Sequence, residues 1–328
     1  MIADTTYSCV EKLSDLLSVS SFVKSLHHLI EYPDPQIRRR ALLLLNEKVE
    51  QVSESQVSAT DLASFMQLVD KLALMITGTP VPVAGEKKTP DTLPESSVNK
   101  QTALLSLEIL VRSFASRANE TQSRQFLDAL KAVLQCLQTT DEQQVVSSSL
   151  VCCATFCAQM GVHVLESLPT LMPIVLRLLE QSCEARAQQP ADSMEIDDND
   201  ENSTGDLELL VQVSALSSLE ILVLTLSKFM SPYMPKLLLR VLHPTLLTSG
   251  KRQIVSKATN ILHLVATNIE IRVILPASTW ERALGVCYYN EIDVELVVQS
   301  ATCTSRWSSM ERLHCAAWCD SSARRVSR

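Results

Sequence analysis

The chain has 328 residues, of which 46% are hydrophobic but only 4% aromatic, and it contains only six glycines. This composition favours helices, because sheet-rich domains use aromatic residues and turn glycines, and nucleotide-binding α/β enzymes need glycine where the backbone approaches phosphate. The formal net charge of −8 argues against unaided binding of nucleic acid through a broad basic face, but it leaves room for a local basic stripe.

Apolar residues recur at the spacing of an amphipathic helix through most of the chain. A first segment near 20–32 ends at Pro33, and a second helix near 35–49 follows, with Asp34 as its predicted N-cap and Pro35 at the first helical position. Because the turn between them is so short, the two helices are expected to fold back on each other.

The same alternation continues along the chain. It predicts first helices near 20–32, 60–76, 120–138, 162–183 and 232–247, and partner helices near 35–49, 98–116, 141–160, 206–229 and 250–269. A weaker pattern over 271–303 indicates one more helical pair. Beyond it, residues 304–328 are expected to form a disordered tail outside the repeats.

One helix type is reused, since TALLSLEILV at 102–111 and SALSSLEILV at 214–223 agree at eight of their positions. Taking Ala41, Ala103, Ser149, Ala215 and Ala258 as equivalent gives separations of 62, 46, 66 and 43 residues. The two long separations each contain a predicted disordered insertion, near 77–97 and near 184–205. Without those insertions, every spacing approaches the roughly 40 to 47 residues of HEAT repeats.

The second helix near 35–49 resembles that of a HEAT repeat in its order of Asp34, Ile37-Arg38, Ala41 and Leu44. The predicted fold is therefore an all-α HEAT-repeat solenoid, with about five to six stacked antiparallel helix pairs over residues 1–303. The resemblance implies that Arg38 pairs with the Asp of an adjacent repeat. It also implies kinked first helices, which would hold four interior prolines: Pro169, Pro173, Pro235 and Pro244.

No enzyme motif is present in the sequence: no phosphate-binding glycine loop, no nucleophile elbow and no zinc-protease motif. His27 and His28 are interpreted as packing or surface residues, and the spacing of His314, Cys315 and Cys319 lacks the fourth ligand of a zinc site. We therefore predict no catalytic activity, no cofactor and no metal.

Cysteines and the first residues of the chain bear on its compartment. Four of the ten cysteines, Cys136, Cys152, Cys153 and Cys157, lie in apolar helical pattern, which predicts buried reduced thiols rather than disulfides. The N-terminal residues carry charges and no long apolar run, so we expect neither a signal peptide nor a membrane span, and a soluble intracellular protein.

Two basic clusters are candidate contacts for an acidic partner or for RNA, with an ordinary solvated face as the alternative. One is Arg39 and Arg40, since Arg38 is assigned a structural role. The other is formed by Lys251, Arg252 and Lys257 at the start of a later second helix. Ser203, with Asp206 three residues further on, is a candidate site for an acidophilic kinase.

Over about residues 20–299, the chain resembles the C-terminal region of the large HEAT-repeat subunits of the small-subunit processome. The segments that carry it are SLHHLIEYPDPQIRRRALLLLNEKV, the SLEILV pair, SPYMPKLLLRVLHPTLL and IEIRVILPASTWERALGVCY. Those proteins are several times longer, so we expect a fragment or a truncated isoform, whose tail after Cys303 departs from the family pattern.

The resemblance implies a nucleolar scaffold that supports pre-rRNA transcription by RNA polymerase I and early processing of small-subunit rRNA. Its expected partners are other processome proteins, with pre-rRNA or small nucleolar RNA contacted indirectly, and neither a membrane nor a small-molecule substrate. The alternative is a HEAT-repeat adaptor in nuclear transport or kinase signalling.

Overall fold

The computed structural model describes residues 16–52, 58–78, 95–188, 204–247 and 249–268, and the regular structure in these ranges is entirely helical, with no strand. The chain divides into two compact units, residues 1–226 and residues 227–328. The predicted all-α fold of stacked helix pairs is confirmed. The predicted pair over 271–303 and the tail 304–328 lie outside the described residues.

Among its described residues, the first unit contains four successive helix pairs. Its helices are α1 (Val19–Ile30), α2 (Pro35–Gln51), α3 (Ala59–Thr77), α4 (Glu95–Phe114), α5 (Glu120–Thr139), α6 (Gln143–Met160), α7 (Leu168–Gln188) and α8 (Thr204–Leu226). Each odd-numbered helix packs against the even-numbered helix that follows it. The odd helices also contact one another in sequence, as do the even helices, so the unit has two helical layers.

Side-chain caps define the starts of several helices. Asp34 accepts a hydrogen bond of 2.8 Å from the Gln36 amide and Pro35 occupies the first turn, as predicted. Ser58 forms a capping box at the start of α3, and Asn119 forms another at the start of α5. Each cap satisfies amide groups that have no partner inside the helix.

Aromatic pairs join the two layers within repeats. Phe65 of α3 stacks on Phe114 of α4 with ring centroids 5.2 Å apart. Phe126 of α5 meets Phe156 of α6 edge to face at 6.5 Å. All four side chains are fully buried, so they contribute both apolar area and a preferred ring geometry to the core.

Small residues occupy the register position that the sequence singled out. Ala41, Ala103, Ser149 and Ala215 lie on α2, α4, α6 and α8 and are each at most 1% exposed. Between α6 and α8, the Ser218 hydroxyl donates to the Leu150 carbonyl at 3.0 Å. Burial of these positions is as the predicted register requires, and short side chains there leave room for a neighbouring helix.

The helices that flank the two insertions extend further into them than predicted. Helix α4 already begins at Glu95, α7 continues to Gln188 and α8 begins at Thr204. Only residues 79–94 and 189–203 between these helices lie outside the described residues. The helices that flank each insertion still pack against each other, α3 against α4 and α7 against α8.

The second unit is described from Ser227 to Asn268, without residue 248. Two short 3-10 turns, Ser227–Phe229 and Ser231–Tyr233, lead into α9 (Met234–Val241), which is followed by α10 (Pro244–Leu247) and α11 (Arg252–Asn268). Both α9 and α10 contact α11. Ala258, the predicted equivalent of Ala215, is fully buried on α11.

Proline positions correct two expectations. The single first helix predicted near 232–247 is broken into α9 and α10, because Pro244 has no amide hydrogen and disfavours a helical conformation at the preceding residue. Of the four prolines expected inside helices, only Pro173 is interior. Pro169, Pro235 and Pro244 lie in first turns, where the missing amide leaves no helical bond unmade.

Helices α6 and α8 are apolar enough to meet a length and hydropathy test for membrane spans, over Gln143–Val164 and Leu207–Phe229. In the tested windows, 61% and 56% of the residues are buried within the protein. These helices pack against each other in the even layer, and α6 also packs against α4. Their interior position therefore accounts for their composition.

Candidate partner-binding surfaces

The arginine run at the start of α2 divides into structural and exposed side chains. The Arg38 guanidinium donates through Nη1 to the carbonyls of Tyr32 and Pro33, both at 2.9 Å. It thus braces the turn between α1 and α2. The expectation that Arg38 pairs with an Asp of an adjacent repeat is wrong, because the carbonyls left by the short α1–α2 turn lie within its reach.

Arg39 is exposed on α2, whereas Arg40 is half-buried, so Arg39 is the more accessible of the two side chains. Lys100 occupies the register position on α4 that Arg38 holds on α2, and α4 packs directly against α2. Sequence reasoning missed Lys100. It precedes Ala103 by three residues, as Arg38 precedes Ala41, and this equivalence would have identified it. The start of the even layer therefore carries cations on two neighbouring helices.

A charge network links α2 and α4 further along the same layer. Arg112 Nη1 lies 3.6 Å from the Glu108 carboxylate, and Arg112 Nη2 lies 3.9 Å from that of Glu50. Burial raises the pKa of Glu108, and the opposing effects of Arg112 and a hydrogen bond with Thr155 are smaller. Because Arg112 and Glu50 are more than half exposed, this network contributes little energy and mainly orients side chains.

The second basic cluster belongs to the second unit. Lys251 and Arg252 are exposed at the start of α11, and Lys257 is half-buried one and a half turns later. The structure therefore brings this cluster together on one helix. Sequence reasoning missed Lys228 and Lys236, which are also exposed in this unit. The signal that identifies them is the absence of any Asp or Glu between Glu220 and Glu270.

The predicted thiols are buried and free. Cys136 lies on α5 and Cys152, Cys153 and Cys157 lie on α6, and each is a buried free thiol. Burial raises the pKa of the Cys157 thiol to about 12, and it raises the pKa of Cys152 and Cys153 as well. Neutral, inaccessible thiols of this kind act as small apolar side chains rather than as nucleophiles.

Other candidates are surface residues or lie outside the described ranges. His28 is exposed and His27 lies 3.9 Å from Glu31, as expected for surface residues. Within the described ranges no three His, Cys, Asp or Glu side chains are grouped to hold a metal ion. Ser203 and the set His314, Cys315 and Cys319 lie outside those ranges.

Comparison with known proteins gives a consistent set of relatives, although no protein-family model matches the chain. The chain is 32% identical over 295 residues to the HEAT repeat-containing protein 1 homolog of Dictyostelium discoideum. It is 26% identical over 276 residues to HEAT repeat-containing protein 1 of Homo sapiens, and 24% identical over 294 residues to that of Danio rerio.

These three matches cover 83% to 88% of the chain. In the other direction, the chain spans only 11% to 12% of the length of those relatives. The similarity therefore extends over most of the chain, while most of each relative has no counterpart here.

Proposed function

The chain belongs to the HEAT repeat-containing protein 1 family, and from this we propose that it is a non-catalytic scaffold that binds other macromolecules during ribosome biogenesis. In this proposal it supports pre-rRNA transcription by RNA polymerase I and early processing of small-subunit rRNA within the small-subunit processome. It acts in the nucleolus, and its direct partners are other processome proteins.

The family match over most of the chain is the observation that carries this proposal. The architecture supports it physically, because stacked helix pairs present long continuous surfaces that suit the binding of extended partners. In the first unit, the even layer runs unbroken from α2 to α8. Its exposed side chains include both charged residues, such as Arg39, and apolar ones, such as Leu105 and Val151.

A crosslinking experiment in nuclear extract tests the proposed partners. The full chain is crosslinked through its exposed lysines, and the attached peptides are identified by mass spectrometry. We expect processome proteins to be the dominant crosslinked partners. Nucleoporins or a protein kinase in their place would overturn the proposal in favour of an adaptor in nuclear transport or signalling.

The Arg39 surface has its own test within the same experiment. Arg39→Glu reverses the charge of an exposed side chain on α2, and Lys24→Glu makes the same kind of change at an exposed position on α1. If Arg39 contacts an acidic partner, Arg39→Glu reduces the yield of crosslinks around α2 whereas Lys24→Glu does not. Equal yields for both variants would remove Arg39 from the proposed surface.

A further inference from the structure

The second unit contains a segment with cations and no anions. Residues 227–268 include six Lys or Arg residues and no Asp or Glu, although the whole chain has a net charge of −8. Screening limits electrostatic interactions in solution to about 8 Å at physiological salt, so the local charge decides what this surface attracts. The segment therefore favours an anionic ligand despite the acidic character of the protein.

Four of these cations are available on the surface. Lys228, Lys236, Lys251 and Arg252 are exposed, and none of them forms an ion pair with a described residue. Lys236 lies on α9, and α9 packs against α11, at whose start Lys251 and Arg252 lie. The amide groups at the start of α11 add to the positive potential there.

Exposed apolar side chains accompany two of these cations. Phe229, next to Lys228, is 43% exposed. Leu239 is 40% exposed and lies three residues after Lys236, which places the two side chains on the same face of α9. A nucleic acid would use the cations and could stack a base on Phe229, but an aliphatic side chain such as Leu239 offers no stacking surface.

We propose that this surface binds an acidic amphipathic peptide segment of a partner protein. Asp or Glu side chains of the segment pair with Lys228, Lys236, Lys251 and Arg252, and its apolar side chains cover Phe229 and Leu239. The eight residues of α9 extend over about 12 Å, which an extended peptide spans with about four residues. This inference deepens the scaffold proposal by naming the chemistry of one partner.

Binding of three labelled probes to the full chain, followed by fluorescence anisotropy, tests the proposal. The first is a short peptide in which Glu alternates with Leu and Phe, the second is an oligoglutamate of equal charge, and the third is an oligouridine of equal charge. We expect the alternating peptide to bind most tightly and its affinity to fall as salt concentration rises. Tighter binding of oligouridine, equal binding of both peptides, or no binding would overturn the proposal.

Charge and apolar variants locate the contact. The double change Lys228→Glu and Lys236→Glu, and separately Leu239→Ser, should each weaken binding of the alternating peptide by roughly five- to tenfold, as expected for the loss of about 1 to 1.4 kcal/mol. Lys24→Glu is the matched control and should leave binding unchanged. Circular dichroism checks that every variant keeps its helicity, which is expected because each altered side chain is exposed.

The result separates this inference from the broader scaffold function. If the variants bind the alternating peptide as well as the unaltered chain does, the surface is wrong whatever the crosslinking experiment finds. If the peptide binds as expected but processome proteins are not crosslinked, the surface stands and the nucleolar role fails.

Discussion

Side-chain size at one register position determines how closely the even helices of the first unit approach each other. Ala41, Ala103, Ser149 and Ala215 occupy that position and are buried against neighbouring helices. A larger side chain has no space there unless a helix moves, because protein interiors are packed about as densely as organic crystals.

Replacement of Ala41 or Ala215 with Leu is therefore predicted to lower the free energy of unfolding by about 1 to 3 kcal/mol through overpacking. Urea unfolding followed by circular dichroism measures the change. Ala158→Leu is the matched control, because Ala158 is exposed on α6, and it should change stability by no more than about 0.5 kcal/mol. Equal midpoints for all three variants would show that the register is wrong.

Glu108 gives the stability a predictable pH dependence. Burial raises its pKa above the ordinary value of 4.5, so the folded chain holds this proton more tightly than the unfolded chain does. The contribution of Glu108 to the free energy of unfolding is therefore fully present below pH 4.5, and it is lost as the pH rises through the raised pKa. Glu108→Gln should remove this loss.

Urea unfolding of both proteins at a series of pH values from below 4.5 upward tests the effect of Glu108. The stability of the variant relative to the unaltered chain should increase as the pH rises through this range. A difference that is constant with pH, or that has the opposite sign, would contradict the assigned pKa direction.

At the scale of helices, side-chain interactions in the turns define several of the helix ends. Arg38 holds the carbonyls of the α1–α2 turn, and capping boxes start α3 and α5. Because these local interactions define the helix ends, the segments between paired helices can vary in length without disturbing the packing of the pair.

The insertion between α7 and α8 is predicted to be dispensable for folding. Replacing residues 189–203 with a short Gly/Ser linker should leave helicity and cooperative unfolding nearly intact, since each doubling of loop length costs only about 0.6 kcal/mol. Circular dichroism and urea unfolding measure both properties. From its acidic composition, we also expect limited proteolysis of the unaltered chain to cut first within this insertion.

The opposite result would have a clear meaning. If proteolytic cleavage at 189–203 released two fragments that separated on gel filtration and unfolded independently, the insertion would be a linker between domains. The pairing of α7 with α8 would then not contribute to the stability of the first unit.

At the scale of the whole molecule, the described helices form two compact units, and the boundary between them follows α8 rather than either insertion. Within the first unit, the interior is filled by apolar side chains, buried thiols and small polar residues that bond to backbone carbonyls of neighbouring helices. Such an interior supports a continuous surface for partners.

The purified chain is predicted to lack nucleotide hydrolysis, because its sequence carries no phosphate-binding loop. Phosphate release from ATP and GTP should match the buffer blank within error. Turnover that persists through repurification would contradict the proposed non-catalytic role.

The sequence by itself determined the helical class, the pairing of helices and the buried register. Apolar spacing, the Asp34 cap and the repeated SLEILV segment depend on residues close together in the chain, and such signals are local. The buried state of Cys152 and Cys157 was predictable for the same reason, because both lie within the apolar pattern of α6.

Only the tertiary structure decided which polar atoms meet. The partner of Arg38 depends on where the α1–α2 turn places its carbonyls, and the raised pKa of Glu108 depends on burial by helices distant in sequence. The exposure of Phe229 and Leu239 was likewise visible only in the folded structure. Helical periodicity predicts that one face is buried, but exposure and hydrogen-bond partners are set by what packs against that face.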